Sequence, residues 1–149
     1  MGFSSSAAVV ILFLGVLIAI GMVFPVMETA YERQSAAIEE RDDRALEVRN
    51  TAIEVDGAYD SGTDTLTVNV TNTGSTTLTV EHVDLLVDGQ FITGWNESDR
   101  SVEGDSARTL VQPGELLELT IDRNTEPNRL KVITGNGVAK TVTEVTNVG

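Results

Sequence analysis

The hydrophobic pattern changes period twice along the chain, and each change predicts a different element. From Ala7 to Val26 almost every residue is Val, Ile, Leu, Phe, Ala or Gly, and no charged side chain occurs between Met1 and Met27. Twenty helical residues of this kind match the roughly 30 Å hydrocarbon core of a bilayer, so residues 1–27 read as a transmembrane helix. A cleaved signal peptide would carry a basic start and a shorter apolar run. Beyond the span, Tyr31, Gln34, Ile38, Arg41, Ala45, Val48 and Ala52 recur at alternating spacings of three and four. That stripe predicts a helical stalk over 28–52, continuous with the membrane helix because residues 28–49 hold neither Gly nor Pro. Gln34 and Arg41 within the stripe weigh against a self-sufficient coiled coil.

At Ile53 the period falls to two. Ile53, Val55, Gly57 and Tyr59 alternate with polar positions, Asp60-Ser61-Gly62-Thr63-Asp64 turns, and Leu66, Val68 and Val70 alternate again before Asn72-Thr73-Gly74-Ser75. The inward set then shifts from Leu78 and Val80 to Val83, Leu85 and Val87, which predicts a bulge or bend near Glu81-His82. Asp88-Gly89 predicts a hairpin returning through Phe91, Ile92 and Trp95. Residues 96–108 read as a polar loop. Pro113-Gly114 then turns into a strand with Leu117, Leu119 and Ile121 on one face, and Leu130–Thr134 and Val138–Val145 read as a last hairpin. About seven short strands over 53–149 describe a mainly β, immunoglobulin-like sandwich, carried on one long N-terminal transmembrane α-helix.

Composition narrows the function. The chain has 149 residues, no cysteine and a single histidine, which excludes disulfides, thiol chemistry and a two-histidine metal site. A net charge of −13 repels phosphate backbones, so nucleic acid is not an expected partner. Only Lys131 and Lys140 are lysines among 10 basic residues; an acidic, lysine-poor surface of this kind fits a halophilic setting, where salt screens self-repulsion. Basic residues after the span (Arg33, Arg41, Arg44, Arg49) would hold the C-terminal part inside. The acids among them, and the ability of a domain this size to cross regardless of charge, weaken that rule. The sequons Asn69-Val70-Thr71 and Asn96-Glu97-Ser98 favour the outside, so the sandwich is placed there, with Asn69 and Asn96 as possible glycosylation sites; the strand alternation turns Asn69 to solvent.

No catalytic constellation emerges. A Ser-His-Asp arrangement would have to use His82, which lies mid-strand beside the expected bend, and Asp60-x-Gly62-x-Asp64 lacks the spacing of a calcium loop. No enzyme activity, cofactor or metal is expected. Phe91, Trp95, Arg100 and Arg108, in and around the longest loop, are the candidate partner contacts, although for Trp95, the sole tryptophan, packing in the sandwich core is the favoured reading.

The charge-free Met1-Gly2-Phe3-Ser4 start, the single span, the acidic stalk ending in Arg49-Asn50-Thr51-Ala52-Ile53 and the small sandwich resemble the FlaF (ArlF) family of archaellum accessory proteins of salt-loving archaea. The resemblance implies a non-enzymatic stator of the archaeal flagellum, single-pass in the cytoplasmic membrane. Its sandwich would lie in the pseudoperiplasm beneath the surface layer, bind surface-layer protein and work with the related protein FlaG, in a homo- or hetero-oligomer. The sandwich also resembles archaellins, so an archaellin- or pilin-like filament subunit and a generic surface-tethered binding module remain open.

Overall fold

The computed structural model of the chain describes residues 2–93 and 96–149, with side chains described for 6–22, 27–93, 96 and 98–149. One helix, α1, runs Gly2–Asn50. The chain divides into two compact units, Met1–Asp43 and Arg44–Gly149, so the end of α1 belongs with the β domain. In the first unit the described apolar side chains are exposed all round, among them Ile11 (69 %), Leu12 (70 %) and Phe13 (65 %). A helix that is apolar on every side satisfies its surface only in an apolar surrounding.

The second unit is a β-sandwich. Its strands are β1 (Ile53–Asp60), β2 (Thr65–Asn72), β3 (Leu78–Thr79), β4 (Asp84–Val87), β5 (Gln90–Phe91), β6 (Arg100–Val102), β7 (Leu110–Val111), β8 (Leu116–Asp122), β9 (Leu130–Ile133), β10 (Ala139–Val142) and β11 (Thr146–Asn147). One sheet has the order β11-β1-β2-β8-β6, the other β10-β9-β4-β5, and β3 pairs with β7 alone. Period-two alternation places Leu66, Val68 and Val70 of β2 inward beside Leu117 and Leu119 of β8. Leu85, Val87, Leu130 and Val132 of the second sheet complete the core, all at most 3 % exposed. Each such side chain contributes about 1.5–3 kcal/mol of burial, which is what fixes the register.

The expected turns form for local reasons. Asp88 (φ 52°) and Gly89 (φ 85°) both take left-handed conformations between the paired Val87 and Gln90, the geometry of a type I′ hairpin. The bend expected near Glu81-His82 is a single 3₁₀ turn, Val80–His82, which carries the inward phase from Val80 to Val83. Pro113-Gly114 turns with Gly114 at φ 85°, closed by the Glu115 amide donating to Gln112 O at 3.0 Å.

Four expectations are corrected. The polar loop 96–108 contains an edge strand, β6, because Val102 is drawn into the core beside Leu117 and is 0 % exposed. The return strand after Asp88-Gly89 ends at Phe91, and its expected extension to Trp95 reaches outside the described residues. The final strand ends at Val142, and the chain crosses to the other sheet, where β11 lies parallel to β1 at Ala58 and Tyr59. Several two-residue strands also raise the count beyond about seven.

Candidate interaction surface

Two places in the sandwich unit stand out by their geometry. The first is the joint between helix and sandwich. The end of α1 leaves carbonyls without intrahelical partners, and the β2–β3 turn supplies donors for the chain that follows it. Ser75 N–H donates to Asn50 O at 2.8 Å, while Thr73 and Gly74 N–H both donate to Ala52 O at 3.0 Å. Thr51 Oγ1 donates to Glu47 O at 2.8 Å and accepts from Asn136 Nδ2 at 2.6 Å, tying the β9–β10 turn to the same segment. Asn72, fully buried, donates through Nδ2 to Thr76 O (2.8 Å) and Val111 O (3.0 Å) and accepts from Gly74 N–H (3.2 Å). A buried amide whose groups are all paired holds its loop rigidly. Gly74 packs so closely on Asn50 and Ala52 that no side chain fits there. A cleft of about 580 Å³, lined by Arg44, Glu47, Thr79, His82 and Asn136 among others, opens beside this joint.

The second place is the sandwich edge where β5 ends one sheet and β6 ends the other. There Phe91, 53 % exposed, and Arg100 line one depression of about 240 Å³ together with Glu81, Asp84 and Leu119. An exposed ring beside both signs of charge suits contact with protein more than with a small apolar ligand.

The family model described as archaeal-type flagellin matches residues 2–144. The chain belongs to the archaeal-type flagellin family. This agrees with the likeness to archaellum proteins carried by the sequence. No curated protein matches the chain. Among solved structures it is similar to the archaellum periplasmic stator protein FlaG from Sulfolobus acidocaldarius, at 21 % identity over 62 % of this chain and 97 % of that one, with a TM-score of 0.44. It is also similar to the archaellum periplasmic stator complex of FlaF and FlaG from the same organism, at 20 % identity over 60 % of this chain and 85 % of that chain, with a TM-score of 0.42.

In this family member the candidate residues are scattered. Phe91 and Arg100 meet at the sandwich edge, whereas Trp95 lies outside the described residues. Arg108 is engaged elsewhere: its Nη2 donates to both oxygens of Glu115, at 2.8 and 2.7 Å. That hydrogen bond, with the Gln112 amide, holds the Glu115 carboxyl below its ordinary pKa. Asn96 is exposed before the 3₁₀ turn Glu97–Asp99. Asn69 does lie on the outer sheet face, as its alternation predicts, but between Asp56 and Glu118 it is only half exposed, and its Oδ1 is covered and unpartnered.

His82 is exposed in the 3₁₀ turn, against Gly135. Among the described residues no group of His, Asp and Glu side chains is arranged to hold a metal ion. Burial, then the Asp64 carboxylate beside its hydroxyl, raises the Tyr59 pKa; Tyr59 Oη donates to Asp64 Oδ1 at 3.3 Å. These arrangements stabilise turns and edges. Sequence reasoning passed over Asn72 and Gly74 as ordinary turn residues; the Asn-Thr-Gly-Ser run that marked the turn was their only signal.

Proposed function

We propose that this chain is a non-enzymatic stator component of the archaellum, anchored in the cytoplasmic membrane by α1 and holding a surface-layer protein with its sandwich outside. The observation that carries this reading is the joint. The end of α1 at Asn50 and the Thr51–Ala52 segment are tied into the sandwich by bonds from Thr73, Gly74, Ser75 and Asn136, a junction suited to carrying load. The anchor reading is supported by the uncharged first 27 residues, with a mean hydropathy of 3.0 in the most apolar stretch. A helix held only by fluid lipid drifts under torque, so the outer end needs a fixed partner. FlaG, an archaellum protein of the same kind, is the second expected partner.

The test is binding of the full chain, in detergent at high salt, to purified surface-layer protein, with Phe91→Ala, Trp95→Ala and Arg100→Ala beside it. Saturable binding weakened at least tenfold by these changes is expected; no saturable binding by the wild-type chain refutes the stator reading. Protease added to intact cells stripped of their surface layer should digest the sandwich, and protection of an epitope at Gly149 refutes its outer placement. A filament subunit is the second reading, favoured by the family model itself. Loss of the first residues from the mature protein, read by intact mass, and its recovery in sheared filaments would select that reading.

A further inference from the structure

The two sequons occupy opposite environments, and this separates them as acceptors. Asn96 is exposed in the connection between β5 and β6. Asp99 shapes the sequon: its Oδ2 accepts from both the Asn96 backbone N–H and Asn96 Nδ2, each at 3.0 Å, and its Oδ1 accepts from Ser98 Oγ at 3.1 Å. The acceptor amide and the hydroxyl two residues on are thus presented on one solvent-facing turn. Asn69, in contrast, sits in a central strand paired on both sides, in register with Asp56 and Glu118, and its Oδ1 is fully covered. A sugar bonds to Nδ2, and to offer that nitrogen to a transferase a strand paired with β1 and β8 on both sides would have to leave both ladders.

Resting on the outer placement of the sandwich proposed above, we infer that Asn96 is an N-glycosylation site of this protein and that Asn69 is not. The donor is a polyprenyl-phosphate-linked glycan. Asn96 Nδ2 attacks the anomeric carbon, a C–N bond forms, the C–O bond to phosphate breaks, the lipid phosphate leaves with the electron pair, and one amide proton passes to the transferase's base. Asn96 lines a hollow with Ser98, Asp99 and Thr120 that adjoins the Phe91–Arg100 depression, the two having Ile92 and Thr93 in common among the described residues.

The test expresses the full chain in an archaeal host with an oligosaccharyl transferase and cleaves it after aromatic residues, so that the two sequons fall on separate peptides. Mass spectrometry should find glycan on the Asn96 peptide, its complete loss in Asn96→Gln and Ser98→Ala, and no change in Asn69→Gln. Ser61→Asn combined with Asn69→Gln, which creates a sequon with Gly62 and Thr63 in the exposed β1–β2 turn and leaves it alone on its peptide, reports whether the domain meets the transferase at all. Glycan at residue 61 but not at Asn96 overturns the site and leaves the outer placement standing. Glycan at neither overturns both, and glycan on Asn69 overturns the discrimination between the sequons.

Discussion

Replacing Gly74 by alanine tests whether the helix–sandwich joint is as tight as its hydrogen bonds indicate. A Cβ on Gly74 would lie 2.5 Å from the Ala52 nitrogen, 2.5 Å from the Asn50 carbonyl oxygen and 3.1 Å from the Thr51 carbonyl carbon. All three are backbone atoms, so no rotamer change relieves the overlap. Restoring ordinary contact moves the turn by roughly 1 Å. That displacement stretches the Ser75–Asn50 bond from 2.8 Å, and the two bonds to Ala52 O from 3.0 Å, past useful range. Three backbone bonds at about 1 kcal/mol each put the loss near 3 kcal/mol if all break, and the usual cost of overpacking, about 1–3 kcal/mol, covers the same range if the turn yields only in part. We expect a loss of about 2–3 kcal/mol, which lowers the melting temperature of a domain this size by roughly 10–20 °C. The assay is thermal unfolding of the full chain in detergent, followed through the β signal, with faster amide exchange at Ser75 as the local readout. Gly62→Ala is the control, since its Cβ meets only the Asp60 carboxylate, at 3.2 Å. A Gly74→Ala melting point within about 3 °C of wild type would refute the reasoning.

Two further outcomes follow from the loops. Asp88 holds the β4–β5 turn at positive φ while accepting from Asn128 N–H (2.9 Å), Arg129 N–H (3.1 Å) and Arg123 Nη2 (2.7 Å). Asp88→Ala should therefore cost about 2–3 kcal/mol in urea unfolding and Asp88→Asn clearly less, and equal losses would contradict this account. Glu115, Asp99 and Asp60 all have lowered pKa values, Glu115 through the Arg108 hydrogen bond and the other two chiefly through backbone N–H donors. A carboxylate with a depressed folded-state pKa adds stability that is whole above its unfolded value, near pH 4, and is lost as pH falls through the folded one. Glu115→Gln should then flatten the acid side of the stability profile below about pH 4.5, and a profile parallel to wild type counts against the Arg108–Glu115 pair.

The sequence by itself determined the elements whose signals are local. An uncharged apolar run and the Gly- and Pro-free charged stretch after it form α1 through their own backbone hydrogen bonds. Asp88-Gly89 and Pro113-Gly114 encode their turns in the φ values those residues tolerate, and period-two alternation names the core faces of β1, β2 and β8. Tertiary structure decided what depends on residues distant in sequence. Val102 makes a strand of an apparent loop only because β8 offers it an edge, and β11 crosses to the first sheet only because β1 has an edge to receive it. Asn72 matters because Val111, 39 residues away, lies within reach of its amide. Phe91 and Arg100 became neighbours, and Arg108 did not join them, because the two sheet edges converge while Glu115 holds Arg108 elsewhere. The two sequons look alike as triplets. Only the pairing of β2 between β1 and β8 distinguishes an Asn69 held in a central strand from an Asn96 in an exposed turn, because sheet position is a property of neighbours that a local pattern does not contain.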